Sequence, residues 1–587
     1  MGEDNGNGRR QPPPGDNHQN RLATVRRRAT ALLRSERRRL LLDTALLGVA
    51  GVVAAQLFNL LLDGARAFFL GSIAGYRPPG LPSEGAAPAE VVGPHGLWLV
   101  PVATTLGGLI VGILTSRFAP EAEGHGTDAV VRAFHQSAGE LRPRVAPVKL
   151  VASALTIGSG GAAGREGPIA LIAAAIGSWY ATITHRSQAE RRLLLLVGAA
   201  AGLSAIFRSP IGAAFFVIEV LYAEMEFEAS ALLYATLGAI IAYALNGLLV
   251  GWGALFRVPP IEAFRSPLSY GWYALLGLVA GLFATVLPLV FYRTRDAFRR
   301  LPVPEFLKPA IGAFLTGLLI LAFPQVIAGG YGWIQRAIDG QMALSTMALL
   351  AVAEILALSF TIGSGGSGGV FAPSLFIGAM LGGSCAALGN QPVAPFVVVG
   401  MAAVFAGAAR VPIATMLMVT EMTGGYTLLV PAALAVLLSY LVQRRLSARL
   451  KYQSIYEAQV PLRADSPAHH AEHLSIALRI LRNEELSNLD IGELDLVSLV
   501  RTGIRVELPN NRRLFVGVLR ATSPLVGTTI GASGRTLAGT DTNIIGVLRD
   551  KTMLPPRPDT ILAAGDRLIF IGDAASLDRL SDQFDPW

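Results

Sequence analysis

An all-α polytopic membrane domain made of two related halves with broken helices, followed by a small α+β domain, is the fold that this sequence predicts. Three observations predict it. Of 587 residues, 52% are hydrophobic and 15% are charged, against roughly 25% charged in soluble domains, and the mean hydropathy is +0.49. The 64 glycines and 35 prolines interrupt many apolar runs, which suits half-helices at membrane depth better than a simple bundle of spans. The chain also repeats itself internally. Together these exclude a soluble enzyme, a disordered chain and a fibrous protein. The single cysteine, Cys385, excludes an internal disulfide framework and any metal site built on several thiolates. No cofactor or metal is expected.

Residues 1–38 are expected to be a disordered, basic cytoplasmic tail. Ten arginines fall in the first forty positions, including Arg26-Arg27-Arg28 and Arg37-Arg38-Arg39. With no folded module around them, a nucleic-acid partner is not expected. Next to an apolar helix, such charge favours the cytoplasmic face and anionic lipid headgroups. Met1–Asn20 lacks the pattern of a signal peptide.

The membrane domain is expected over 39–460, with halves at about 40–250 and 265–460. Apolar helices are predicted at Leu40–Leu70, Leu97–Arg117, Leu193–Ile206, Ala229–Val250, Trp272–Phe291, Pro309–Phe323, Met342–Ser359 and Thr427–Leu446. Arg208-Ser209-Pro210 and Arg410-Val411-Pro412 each cut an apolar stretch into pieces too short to span ~30 Å of hydrocarbon. Ile157-Gly158-Ser159-Gly160-Gly161 recurs 205 residues later as Ile362-Gly363-Ser364-Gly365-Gly366, bringing Gly164 onto Gly369 and Pro168 onto Pro373. In a register of 202 residues, Gly198 meets Gly400, Arg208 meets Arg410, and Glu219 meets Glu421.

After Val460 the charge rises and the apolar runs shorten. A linker with an amphipathic helix, Ser466–Leu481, is expected over 461–511. An α+β domain over 512–587 is expected to hold strands at Arg512–Leu519, Asn543–Arg549 and Arg567–Ile571, with a turn at Gly565-Asp566.

Gly164-Arg165-Glu166-Gly167-Pro168 carries the chemistry. It joins a Gly-rich loop to an apolar helix, Ile169–Tyr180. Proline suits a helix start, and glycines let backbone amides approach an ion. The helix N-terminus attracts anions, and Glu166 sets a carboxylate at that end, deep in apolar sequence, where an ionisable group is costly. The alternative is a glutamate that caps its own helix. The repeat partner, Gly368-Gly369-Val370-Phe371-Ala372-Pro373, opens an apolar helix in the same way, with Val370 and Phe371 in the places of Arg165 and Glu166. Two such helix starts converging from opposite halves would form a dehydrated anion site out of backbone donors.

With these motifs the sequence resembles the CLC family of chloride channels and chloride/proton exchangers. The resemblance runs from about Leu40 to Pro461 and takes in Arg117-Phe118-Ala119-Pro120-Glu121-Ala122, Gly329-Gly330-Tyr331-Gly332, Thr420-Glu421-Met422-Thr423 and Ser454-Ile455-Tyr456-Glu457. It implies two inverted repeats, a homodimer with one anion pathway per subunit, and membrane lipid as surroundings. It makes Glu166 the gating glutamate, which occupies an anion site when ionised and leaves when protonated. Arg165 and Gly167, which flank it, are expected among the anion-binding residues. The amides of Val370 and Phe371 and the hydroxyl of Tyr456 would hold the central anion, with Tyr452 as the alternative to Tyr456.

Two positions depart from the family pattern. The family's Gly-Ser-Gly-Ile-Pro is here Gly124-His125-Gly126-Thr127-Asp128, so His125 stands where a serine touches the anion. Either the imidazole binds the anion and makes binding pH-sensitive, or it turns aside and leaves the Gly124 and Gly126 amides facing the ion. At the inner proton site many family exchangers carry a second glutamate, but Ile218-Glu219-Val220 puts Val220 there. Valine relays no proton, which favours passive conduction; water, Glu224 or Glu226 are the substitutes that would permit exchange. Glu219 and Glu421 are read as structural acids at helix ends.

Residues 512–582, with Ser523-Pro524-Leu525-Val526-Gly527 and Ala564-Gly565-Asp566-Arg567-Leu568, resemble the C-terminal lobe of regulators of potassium conductance. That implies a dimerisation clamp or a small-ligand site, a nucleotide among the options. A potassium channel is the remote alternative, because Gly330-Tyr331-Gly332 lacks a preceding Thr-Val and a four-fold filter. A membrane-bound enzyme finds no metal spacing or nucleophile elbow. The expected location is a bacterial inner membrane with both termini cytoplasmic. The expected cargo is chloride or a similar small anion.

Overall fold

The structure is a computed structural model. It describes residues 36–260 and 267–463, positions 466 and 468, and, further on, 506–508, 512–532, 542–549, 552–554, 558–573 and 584–585. The basic tail up to residue 35 and almost all of the expected amphipathic helix lie outside the described residues. The chain divides into two compact units, Met1–Leu462 and Arg463–Trp587.

In the first half of unit one, α1 (Glu36–Arg66) runs on as a π-helical segment, Ala67–Ala74, and is followed by a strap that pairs β1 (Tyr76–Arg77) with β2 (Val91–Val92). Then come α2 (Val100–Phe118), α3 (Thr127–Gln136), α4 (Val145–Gly158), α5 (Glu166–Ile183), α6 (Gln188–Phe207), α7 (Pro210–Glu219) and α8 (Ala229–Val250). The second half follows the same order: α9 (Pro267–Arg300), α10 (Lys308–Ala322), α11 (Tyr331–Ile338), α12 (Leu344–Gly363), α13 (Phe371–Leu388), α14 (Val393–Ala409), α15 (Pro412–Thr423) and α16 (Leu429–Ser447). Among the described residues, eight helical stretches are long and apolar enough to cross a membrane, while α4, α7 and α14 are shorter apolar helices.

Outward leucines such as Leu60, Leu233 and Leu248 are exposed, as a lipid-facing surface requires. Inside, small residues let helices touch backbone to backbone. A Cβ on Gly198 would overlap Ala173 O across the α5–α6 contact, and one on Gly400 would overlap Gly378 O across α13–α14. The repeat seen in sequence therefore reappears as repeated packing.

The breaks also repeat. α6 ends on Arg208 at φ +55° and α14 on Arg410 at φ +58°, left-handed positions that stop a helix. Pro210 and Pro412 then open α7 and α15. Each short helix caps the other. Glu219, at the end of α7, accepts from Ile413 N (3.1 Å) and Ala414 N (2.7 Å) at the start of α15. Glu421, on α15, accepts from Gly212 N (2.8 Å) and Ser209 Oγ (2.6 Å) at the start of α7. A carboxylate at a helix N-terminus satisfies donors that have no intrahelical partner.

Several helices run past their expected spans, and for α6 and α9 the side chains show why. α6 starts at Gln188, not Leu193, because Ser187 and Glu190 form a reciprocal cap, with N–H to oxygen distances of 3.2 and 3.0 Å; a window of apolar residues does not register such a polar first turn. α9 extends to Arg300, well past Phe291, and its polar last turns pair with the segment after α16: Arg295 Nη1 lies 2.9 Å from Glu457.

Unit two holds a sheet of β3 (Val506–Leu508), β4 (Arg512–Leu519), β5 (Thr542–Arg549), β6 (Thr552–Leu554) and β7 (Arg567–Asp573) in the order β3-β4-β7-β5-β6, with β8 (Phe584–Asp585) on β4. All pairs are antiparallel. The core is Leu519, Leu525, Val547, Leu562, Leu568 and Phe570. Asp566, in the expected turn, is buried and grips Arg549 through two contacts of 2.7 Å.

Candidate anion pathway

Two Gly-rich loops meet in the middle of unit one. Gly164 N donates to Gly369 O (2.8 Å) and Gly369 N to Gly164 O (2.6 Å). The loop before α3 joins them: Gly124 N donates to Gly366 O (3.0 Å) and Gly368 N to Gly124 O (3.2 Å). Side chains would prevent the approach, since a Cβ on Gly369 would come 2.9 Å from Gly167 N and one on Gly167 would overlap His125 O. The starts of α3, α5 and α13 thus converge, and helix starts carry unpaired N–H groups and partial positive charge.

Glu166 is the first residue of α5 and is 2% exposed. Its carboxylate folds back over its own loop, where a Cβ on Gly164 would overlap Oε2. The Tyr331 hydroxyl, from the start of α11, donates to Oε1. In the sequence Tyr331 is only the centre of a glycine-flanked motif; Gly330, at φ +64°, turns the chain so that this tyrosine opens a helix, and its phenol meets Glu166. Gly330-Tyr331-Gly332 is therefore a helix start, unlike the extended filter of a potassium channel.

Arg165 faces away from the loop junction. Its guanidinium pairs with Glu84 of the strap, lies 3.4 Å from Asn59 Oδ1 and stacks 5.2 Å from the Tyr331 ring centre. Val370 and Phe371 are buried at the start of α13. The Phe371 ring packs on Phe207 and Phe405, at centroid separations of 4.8 and 4.5 Å.

Tyr456 is 2% exposed and lies in the same aromatic cluster, 5.3 Å from the His125 ring and 6.3 Å from Phe216. Tyr452 is elsewhere, stacked on Tyr292 and near Asp296. Of the two tyrosines, the structure brings Tyr456 to His125. Val220 caps α7, one turn beyond Phe216. Beside it, His135 Nε2 contacts Leu221 O at 3.0 Å, its ring meets Tyr222, and the Tyr222 hydroxyl donates to Glu228.

The loop of Gly124 (φ +74°), His125 and Gly126 (φ +87°) needs its glycines, because both lie in the left-handed region. Lys149 of α4 is fully buried and fastens this loop, donating to Gly124 O (2.6 Å) and Ala122 O (3.0 Å). Ser367 Oγ also donates to Ala122 O, at 2.8 Å. A lone lysine between Val148 and Leu150 in an apolar stretch is the sequence signal for this role. His125 is buried, with Nε2 3.2 Å from Asp128 Oδ2. Asp128 Oδ1 accepts from Ala458 N at 3.2 Å, tying the histidine loop to the segment that bears Tyr456.

Two cavities approach this centre. One, of about 370 Å³, lies at the C-terminal end of α1 and includes Glu84, Arg165 and Tyr331. The other, of about 420 Å³, lies at the C-terminal ends of α2 and α9 and reaches Gly124, His125 and Gly126. As α1 and α2 are consecutive spans, these two ends belong to opposite faces of the domain. On the rim of the second cavity, burial alone would raise the Glu121 carboxyl, but the Arg142 guanidinium paired with it holds it below the usual range. Burial pushes Glu123 up, with Arg299 partly opposing.

Known proteins resemble this chain in sequence and in fold. The sequence model described as voltage gated chloride channel matches residues 107–444, and that of the TrkA-C domain matches 518–585. The chain is 32% identical over 371 residues to the putative chloride channel protein ClcB-like of Ralstonia nicotianae, covering 60% of this chain and 85% of that protein. It is 31% identical over 384 residues to the H(+)/Cl(−) exchange transporter ClcA of Yersinia pestis, covering 62% and 79%. Its fold is similar to that of a slow cyanobacterial Cl−/H+ antiporter (TM-score 0.60, 23% identity, 71% of this chain and 95% of that one). It is equally similar to a CLC-type fluoride/proton antiporter (0.60, 23%, 72% and 98%). With a family match over more than half its length, laid on two interlocked halves whose helix starts meet in the interior, the chain is an integral membrane protein of the CLC family of chloride transporters, with a TrkA-C domain at its C-terminal end.

Proposed function

We propose that the protein is a homodimeric, non-enzymatic anion transporter of a bacterial inner membrane, with both termini cytoplasmic and chloride or a similar small anion as cargo. The observation that carries this reading is the Gly164–Gly369 bridge between two helix starts, with the Glu166 carboxylate between two cavities. The strap-side cavity is then external and the cavity at His125 internal. Backbone donors at the starts of α5 and α13, His125 with its flanking glycines, and the Tyr456 hydroxyl hold the anion. Ionised Glu166 competes with the anion for the same positive helix ends. Protonation removes the like charge and lets the side chain leave.

Val220 favours passive conduction, since no acid stands at the inner proton position. Proteoliposomes under paired chloride and pH gradients test this: the reversal potential is expected to follow the chloride gradient alone. A reversal potential that moves with the pH gradient identifies exchange. Exchange is the second reading, supported by the buried group of His135, Tyr222 and Glu228 next to Val220 and by relatives named as H(+)/Cl(−) exchange transporters. In that reading the group beside residue 220 receives the proton.

Tyr331→Phe tests the gate from its other side. The phenol donates to the carboxylate, and a hydrogen bond to a charged group is worth about 1.5–3 kcal/mol. Its loss should free the gate, so chloride efflux from liposomes at neutral pH is expected to rise roughly tenfold. Unchanged efflux would separate Tyr331 from gating. The C-terminal unit is read as a dimerisation clamp, with a nucleotide or other small ligand at a subunit interface as the alternative.

A further inference from the structure

We propose that His125 and Asp128 form a proton-linked anion site, in which the imidazole takes up a proton as the anion binds. The proposal rests on the reading of His125 as part of the anion pathway.

The geometry makes the two ring nitrogens different. Nε2 lies 3.2 Å from Asp128 Oδ2, and a carboxylate there makes Nε2 the donor of the neutral ring. Nδ1 is buried and has no partner within the protein, and a buried polar atom without one calls for a ligand. In the neutral ring Nδ1 offers a lone pair, which repels an anion. After protonation it offers an N–H, and the ring carries a positive charge beside the Asp128 carboxylate. The serine of the family pattern donates at any pH. Histidine makes the donor conditional.

The charge balance favours joint entry. One proton and one chloride add no net charge to the site, whereas a halide entering alone must be buried without compensation. The groups near the ring from other elements are Lys149 of α4, which holds the Gly124 carbonyl, the Tyr456 ring at 5.3 Å and the Phe291 ring of α9 at 6.4 Å. Glu123, Arg132, Arg295 and Glu457 share the cavity wall with His125. Among the described residues, Asp128 is the acid within ion-pair distance of the imidazole. Because His125 lines the cavity at the ends of α2 and α9 and Glu166 meets the strap side through Tyr331, the transporter carries two pH sensors on opposite sides of its centre.

The experiment is chloride titration calorimetry on the full-length protein carrying Glu166→Gln, which silences the gate. Buffers of different ionisation enthalpy count the protons taken up per chloride. Uptake approaching one proton is expected, with chloride affinity rising as pH falls, by up to about tenfold per pH unit for a single linked proton. Adding His125→Ser should abolish the uptake and hold the affinity within about twofold across the same pH series. Adding Asp128→Asn, which removes the balancing charge and leaves one oxygen to accept from either Nε2 or Ala458 N, should reduce uptake several-fold, and it serves if the serine variant does not fold. Chloride binding without proton uptake in the Glu166→Gln protein, or uptake that survives His125→Ser, overturns the proposal and leaves the anion site standing. No chloride binding in the Glu166→Gln protein overturns the reading of the site and this proposal with it.

Discussion

Glu166→Gln is expected to make chloride flux both faster and indifferent to pH. The wild-type carboxylate sits 2% exposed at the start of α5, where it occupies the positive helix end that an anion needs. In the proposed gate the ionised carboxylate repels the anion, and the protonated one carries no charge and gives way. Flux through the wild type should therefore rise as pH falls, by up to about tenfold per pH unit for a single proton. The amide has nearly the same shape and accepts the Tyr331 hydroxyl, but it cannot ionise. Its flux should match the acid limit of the wild type at every pH, a gain of roughly tenfold or more at neutral pH. Chloride efflux from liposomes across a pH series measures both effects. Equal rates and equal pH profiles in the two proteins would remove Glu166 from the gate.

Lys149→Met is expected to weaken the proposed anion site while leaving every residue proposed to meet the anion unsubstituted. The lysine is fully buried and donates to two carbonyls of the loop that carries His125. Each of these two hydrogen bonds is worth about 0.5–1.5 kcal/mol. Part of that is returned because methionine buries no polar group. Each carbonyl also keeps a second donor, Ser367 Oγ on Ala122 O and Gly368 N on Gly124 O. A net loss of about 1.5 kcal/mol is the balance. Chloride affinity by calorimetry should fall roughly tenfold, and thermal unfolding should come earlier with a smaller gain from added chloride. Full affinity in the methionine variant would show that the loop holds its shape without the lysine.

Much of the site could be read along the chain because its parts are short and local. Gly164 to Pro168 and Gly368 to Pro373 each contain a turn, a helix start and the glycines that permit close approach. The two matching registers announced that these pieces belong together, and α6–α7 and α14–α15 break at the paired arginines. The contacts across the fold were not legible. Tyr331 lies 165 positions from Glu166, and the glycine-flanked tyrosine carries no mark of its target. The strap glutamate that turns Arg165 outward is 81 positions from it. Glu219 and Glu421 were recognisable as acids at helix ends, but their exchange of caps depends on two helix starts lying side by side.

The sequence by itself determined the membrane class, the two-fold repetition, the points where helices break, and the loops whose amides can face an ion. Those properties follow from local steric rules and from the cost of placing polar backbone in hydrocarbon, and both act on neighbouring residues. Only the tertiary structure decided which side chains attend the centre: Tyr331 on the carboxylate, Tyr456 rather than Tyr452 beside the histidine, Lys149 beneath the loop, and Arg165 turned toward the strap. A buried polar atom must find a partner wherever packing brings one, and packing is a property of the whole fold.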